Sequence, residues 1–251
     1  MLSGTGDGRS LVATLREAGI DVVESLAGRT AAARAEVAVG ARVGGFGGVA
    51  GLEAWLRSEG VDAVVDATHP FAARMGANAA TACATVGVPL LRVLRPSWRE
   101  RPDAVGWAWV PDHAAAARAA SRGGRVLLTV GRQELNAYRD LPDVVARVTE
   151  PEPGWDTPGG WELVVARGPF TVDDEVALLR EREIGVLVSK DAGGRATEAK
   201  LDAAAHLGVR VVMVERPALP PGVPSVVDGV GAVAWLAGVR PVPGPPPRRS
   251  P

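Results

Sequence analysis

The chain has 251 residues, 28 basic against 29 acidic side chains and a net charge of -1, with 47% hydrophobic and 23% charged residues. That balance gives no electrostatic pull towards nucleic acid or an anionic membrane, and the composition excludes disordered and collagen-like chains. No apolar run reaches the roughly 18 to 20 residues that span a bilayer, and no signal-peptide pattern opens the chain, so a cytoplasmic protein is expected. Cys83 stands alone and the three histidines (His69, His113, His206) are scattered. Neither a disulfide framework nor a zinc spacing results, and no metal is expected.

Short β-branched runs alternate with Ala-rich helical stretches, the pattern of parallel strands joined by crossover helices. The fold class expected is α/β, with two Rossmann-like parallel-sheet domains and a cleft between them. In the first, 1–95, strands are predicted at Asp21–Ser25, Val37–Val43, Ala63–Asp66 and Pro89–Leu94, with helices at Arg9–Ala18, Gly51–Glu59 and Pro70–Val86. Only Met1–Ser3 precede the first glycine turn, so the first strand reads as clipped. A polar, Pro-bounded stretch, Arg95–Pro102, suits a linker. In the second domain, 96–240, strands are predicted at Trp107–Val110, Arg125–Val130, Val144–Thr149, Leu163–Ala166, Val186–Ser189 and Arg210–Val214. Helices are predicted at His113–Ser121, Val172–Arg182, Thr197–Leu207 and Gly229–Leu236, and the proline-rich tail 241–251 is expected to be disordered.

Ligands of open parallel sheets sit outside the carboxyl ends of the strands. Five polar or glycine-rich strings fall there. Gly4-Thr5-Gly6-Asp7-Gly8 offers backbone amides to a phosphate, or is a capped turn. Ser25-Leu26-Ala27-Gly28-Arg29-Thr30 lies where a dinucleotide fold reads the adenosine ribose. Glu24 has the spacing of an NAD-type ribose ligand, while Ser25, Arg29 and Thr30 suit a 2′-phosphate; the bidentate geometry of arginine favours NADPH. Asp66-Ala67-Thr68-His69-Pro70 follows an apolar strand. Thr68 or His69 can cap a helix beginning at Pro70, but capping does not account for Asp66 and His69 together. Thr129-Val130-Gly131-Arg132-Gln133 and Arg167-Gly168-Pro169-Phe170 each set an arginine beside glycine at a strand end. Ser189-Lys190-Asp191-Ala192-Gly193-Gly194 leads towards Lys200, so both lysines of the chain fall in one region. No nucleophile elbow, P-loop or metalloprotease helix is present, and the clusters suit a dinucleotide and a polyanionic small molecule better than hydrolysis.

In this order and spacing, the strings D-A-T-H-P-F-A (66–72) and S-K-D-x-G-G (189–194) are the most specific. With Gly4-Thr5, the Ser25–Thr30 string, Val43-Gly44-Gly45-Phe46-Gly47, Gly131-Arg132-Gln133, Arg167-Gly168-Pro169-Phe170 and Glu215-Arg216-Pro217, they resemble the precorrin-6A reductase family of cobalamin biosynthesis, from about residue 2 to 238. The resemblance implies a two-domain enzyme that binds NADPH and reduces one double bond of a tetrapyrrole-derived macrocycle, with hydride to C19 and a proton to C18, and without a resident metal. The residues expected to hold the cofactor, from their places at the strand ends, are Gly4, Thr5, Gly6, Ser25, Gly28, Arg29, Thr30, Thr68, Gly131 and Arg132. Substrate falls to Asp66, Arg167, Ser189, Gly193, Gly194 and Arg216, and the chemistry to His69, Lys190 and Asp191. The departures are the short first strand and Ser3, where members carry glycine. A cobalt-loaded substrate, another NADP-dependent oxidoreductase and a non-catalytic nucleotide-binding protein stay open. No long apolar stripe calls for a partner subunit, so a monomer is expected.

Overall fold

The computed structural model describes residues 1–4, 6–28 and 40–239. The elements run β1 (Leu2–Ser3), α1 (Gly6–Glu17), β2 (Ser25–Leu26), β3 (Arg42–Val43), α2 (Val49–Glu59), β4 (Val64–Asp66), α3 (Ala73–Val86) and β5 (Leu90–Val93). Then come β6 (Ala108–Val110), α4 (His113–Ala120), β7 (Arg125–Leu128), β8 (Val144–Val148), β9 (Trp161–Val165), α5 (Val172–Glu181), β10 (Ile184–Lys190), α6 (Ala199–Leu207) and β11 (Arg210–Val214). The described chain closes with β12 (Ser225–Val226) and α7 (Gly229–Ala237). Short 3-10 helices cover Trp98–Glu100, Pro102–Gly106, Arg132–Tyr138 and Arg195–Thr197.

Two units result, Met1–Arg95 with the chain from Pro217 onward, and Pro96–Arg216. The first sheet has the order β12-β5-β4-β1-β2-β3, the second β6-β11-β10-β7-β8-β9, and every pairing is parallel. Both read as the doubly wound order 3-2-1-4-5-6, with β1 or β7 as the central first strand. The sixth position has a different origin in each. In the first sheet it is β12, which follows the whole second unit; in the second it is β6, which precedes the rest of its own sheet.

This corrects the expected 96–240 domain. Ser225–Val226 pairs with Arg92–Val93, and α7 packs Ala232, Val233, Trp235 and Leu236 with Leu11, Leu15 and Leu91 of the first unit. The expected linker is also more structured than its polarity implies, because Trp98 is 3% exposed and packs with Leu127, Leu187, Leu201 and Met213. The first strand is two residues long and paired on both sides, Leu2 with Ser25 and Asp66. Of the predicted strand Val37–Val43, the described part is Arg42–Val43; residues 29–39 and the tail from 240 lie outside the described residues.

Local chemistry explains most of the element ends. Val186-Leu187-Val188 and Val144-Val145-Ala146 are fully buried runs, as central strands covered on both faces must be. The Asp112 carboxylate accepts the Ala115 amide at 2.7 Å and starts α4, while a reciprocal Thr171–Asp174 capping box starts α5. Helix α3 begins at Ala73 with no side-chain cap, so Thr68 and His69 are released from the capping role and Pro70 from the first helical position. No helix among the described residues is long and apolar enough to cross a membrane.

Candidate functional site

In the first sheet the order reverses between β1 and β4, which makes their carboxyl ends the place to look. After β1, Gly4 is exposed with open space where a Cβ would stand, and Gly6 opens α1. A Cβ on Gly8 would lie 2.3 Å from Ser3 Oγ. The helix therefore rests directly on β1, the duty of the third glycine in a dinucleotide turn, here one residue earlier than in G-x-G-x-x-G. Gly8, the last residue of the Gly4–Gly8 string, is thus held to glycine by its close approach to Ser3. Thr5 lies outside the described residues. Asp7, in the first turn, ion-pairs with Arg95 beyond β5 at 3.0 Å.

Asp66 ends β4 at 1% exposure and forms a buried ion pair with Arg92 of β5. Its Oδ1 also accepts the Thr68 amide at 3.0 Å. Arg92 then donates to Thr68 Oγ1 (2.8 Å), the Thr68 carbonyl (3.0 Å) and the His69 carbonyl (3.1 Å). This corrects Asp66 as a substrate ligand: its carboxylate is spent on fixing the Thr68–His69 turn. Arg92 was missed, although one arginine inside Leu90-Leu91-Arg92-Val93 was the signal, since a charge within an apolar strand needs a buried partner. His69 is half-buried, and its Nδ1 accepts the Phe71 amide at 3.2 Å. The neutral ring therefore carries its proton on Nε2, where it is a donor.

At the ribose position, Glu24 is 3% exposed and precedes β2, on the amino side of the strand, so it is corrected as a ribose ligand. Ser25 is also buried (5%), within 3.5 Å of Arg42, whose guanidinium braces the carbonyls of Gly44 (2.6 Å) and Gly45 (2.8 Å). Gly28 turns the chain at φ 62, and Arg29 and Thr30 lie outside the described residues.

In the second sheet the order reverses between β7 and β10. Lys190 ends β10, and burial lowers its pKa while Glu134 opposes that shift. Its Nζ stands 3.9 Å from where a Cβ of Gly131 would be, an ordinary contact, and it is the φ of 88 at Gly131 that calls for glycine. Beside it, His113 Nδ1 lies 2.8 Å from the Tyr138 hydroxyl and Nε2 3.6 Å from Glu134. Sequence reasoning passed over this trio, since nothing links residues 113, 134 and 138 until the fold does. Arg132 faces Glu152 (2.8 Å) and Glu150 (3.6 Å), which already balance the charge expected to meet a cofactor phosphate. Arg167 is exposed beyond β9, and Gly193 and Gly194 form the turn before the 3-10 helix Arg195–Thr197.

Three expectations here are corrected. Ser189 is 1% exposed inside β10 and cannot reach a ligand. Asp191 is 3% exposed, accepting from Ser97 Oγ (2.6 Å) and the Trp98 amide (2.9 Å) while pairing with Arg216 at 3.0 Å. Arg216 donates in turn to the carbonyls of Asp191 (2.8 Å) and Pro96 (3.1 Å). Asp191 and Arg216 clasp the two points where the chain enters and leaves this unit, so neither is presented as a proton donor or a substrate ligand.

Two doubly wound parallel sheets, with a glycine turn and a histidine turn flanking the order reversal in one, belong to the α/β enzymes of the dinucleotide-binding class. The sequence matches the family Precorrin-6x reductase CbiJ/CobK over residues 1–237. It is 46% identical over 240 residues to Precorrin-6A reductase of Rhodococcus erythropolis, covering 94% of this chain and 96% of that one. Against Precorrin-6A reductase of Mycobacterium tuberculosis it is 45% identical, covering 95% and 97%. Cobalt-precorrin-6A reductase of Priestia megaterium is 30% identical, covering 88% and 91%. The solved structure of CobK precorrin-6A reductase matches with a TM-score of 0.83 at 41% identity, covering 96% and 97%. The chain belongs to the precorrin-6x reductase family, and is a reductase that requires a nicotinamide cofactor.

Proposed function

We propose that the protein is a precorrin-6A reductase of cobalamin biosynthesis that uses NADPH. The reaction reduces C18=C19: one hydride goes to C19, one proton to C18, and NADPH leaves as NADP+. One observation carries this reading beyond family membership. The Gly4–Gly8 turn, with α1 seated on Ser3, and the Thr68–His69 turn, locked by Arg92, flank the reversal point of the first sheet.

These residues fit the cofactor. The open side of Gly4 and the amino end of α1 suit a pyrophosphate. Burial of Glu24 removes the carboxylate that would select a free 2′-hydroxyl, which leaves Gly28, Arg29 and Thr30 for a 2′-phosphate and favours NADPH over NADH. Bound NADPH supplies the hydride. His69, with its proton on Nε2, is the proton donor proposed for C18. On the second sheet, Lys190, Arg167 and the Gly193–Gly194 turn are proposed to hold the macrocycle's carboxylates, by charge-assisted contacts that fix orientation. The higher identity to precorrin-6A reductases than to cobalt-precorrin-6A reductases supports the metal-free substrate.

The test is an anaerobic assay with precorrin-6A and NADPH that follows cofactor and macrocycle spectra together, with NADH and cobalt-precorrin-6A as parallel arms. NADPH oxidation that depends on precorrin-6A and exceeds both arms is expected; NADPH binding without turnover of either macrocycle would sink the reading. In the same assay His69→Ala is expected to lower kcat about 10²- to 10⁴-fold. Unchanged turnover across neutral pH would remove His69 as the donor.

A further inference from the structure

The second sheet holds a buried charge cluster that the reductase reading does not use. Arg147 of β8 ion-pairs with Glu175 of α5 at 2.9 Å, the two side chains being 9% and 2% exposed. Lys200, at the start of α6, is also buried, donates to the Thr197 carbonyl and stands 4.8 Å from the centre of the Trp98 ring. Glu175 Oε2 is buried and has no hydrogen-bond partner. These three side chains line a cavity of about 210 Å³ beyond the carboxyl ends of β7 and β8, together with Thr129, Thr149 and Thr197.

With Lys200 protonated, the cluster carries one net positive charge. Arg147 and Glu175 neutralise each other, and Glu198 is engaged by Arg101, which leaves the Lys200 ammonium as the uncompensated charge. Burial, aided by Arg147 and opposed by Glu175 and Glu198, accordingly lowers the Lys200 pKa from its usual 10.5 to about 7. The cavity is smaller than the roughly 300 Å³ at which pockets for whole small-molecule ligands begin, so it suits one charged group at the end of a larger molecule.

We propose that this cavity is an oxyanion site, taking a carboxylate or phosphate group between Lys200 and Arg147, and that Lys200 takes up a proton as the anion enters. The unpartnered Glu175 oxygen then receives an O–H from an accompanying water. The proposal goes beyond the reductase reading and stands without it. An anion beside the ammonium favours its charged form, so affinity is highest where Lys200 is already protonated, and a midpoint raised by one unit corresponds to a total loss of about tenfold once the pH is above both midpoints. A carboxylate arm of a macrocycle and a phosphate of a nucleotide share this chemistry.

The chain has two lysines, so the whole protein labelled with [ε-13C]lysine gives two NMR signals, told apart with Lys190→Arg. Each is titrated from pH 5.5 to 9 in chloride, sulfate and acetate at equal ionic strength; sulfate and acetate stay ionised throughout. The Lys200 midpoint is expected near 7 in chloride and about one unit higher with saturating sulfate or acetate. A response to sulfate alone assigns a phosphate guest, and one to acetate alone assigns a carboxylate arm. Glu175→Gln, which removes the competing carboxylate, is expected to tighten anion binding several-fold. An identical Lys200 midpoint in all three salts, or an anion affinity independent of pH, would overturn the proposal.

Discussion

In the first sheet Asp66 ends the strand beside the order reversal and pairs with Arg92 on the next strand; in the second, Asp191 follows the corresponding strand and pairs with Arg216 beyond the next. The topological slot is the same, but the spare hydrogen bonds go to different places. Arg92 spends them on the carbonyls of Thr68 and His69, so the pair shapes a turn that presents an imidazole. Asp191 and Arg216 spend them on Pro96, Ser97 and Trp98, so that pair anchors the chain where it passes from one unit to the other. An aspartate–arginine pair at a strand end is thus a bracket, and what it grips decides whether it serves chemistry or connectivity.

The comparison is broken most severely by Arg92→Met, which leaves Asp66 charged and buried. A loss of about 3–5 kcal/mol is expected, read by thermal or urea unfolding, with turnover falling further than stability explains because the His69 turn loosens. Asp191→Asn should cost less, about 2–3 kcal/mol, since Arg216 is partly solvated and an amide keeps one acceptor. Its signature is faster hydrogen exchange at the Trp98 amide, with turnover per folded molecule little changed. Were Asp191→Asn to abolish turnover in a fully folded protein, the division of labour between the two pairs would fail.

Gly8→Ala sharpens the contrast from the side of the cofactor. The added methyl meets Ser3 Oγ and Cβ, so the Ser3 side chain or α1 must shift at a cost of about 1–3 kcal/mol, and NADPH binding by fluorescence titration should weaken. The smallest effect concerns His113 in the second unit. Burial lowers its pKa below the usual 6.5, with Lys190 acting in the same direction and Glu134 and Asp112 opposing. The unfolded chain then binds the proton first, so this contribution to stability is complete above pH 6.5 and is lost as pH falls towards the lower folded value. His113→Gln should flatten the decline in stability below pH 6.5 in urea melts.

Much of this was legible in the sequence. Val-rich runs separated by Ala-rich stretches marked ten of the twelve described strands, because buried parallel strands need continuous apolar residues and leave a strong signal. The two-residue strands β1 and β12 carry none, and so the return of the chain to the first sheet went unread. The D-A-T-H-P turn and the S-K-D string located the strand ends correctly. Sequence alone does not tell a presented carboxylate from a buried one: Asp66 and Asp191 became structural once Arg92, 26 positions on, and Arg216, 25 positions on, were seen beside them. Lys200 was legible as one of two lysines in a single region, but not as buried, since its burial is set by α5 and β8 rather than by its neighbours in the chain.

The exchange of sixth strands has a consequence for synthesis. The second unit is one continuous stretch, residues 96–216, and every strand of its sheet is translated before Ser225. The first sheet begins to form earlier but waits, with β5 as an open edge, until β12 arrives to cover it. An uncovered parallel edge is a template for pairing with other chains, so the order of translation leaves the nucleotide-type sheet as the late and vulnerable half of the nascent protein. A chain stopped just short of Ser225 would keep a complete second sheet beside a first one still able to recruit a stranger's strand.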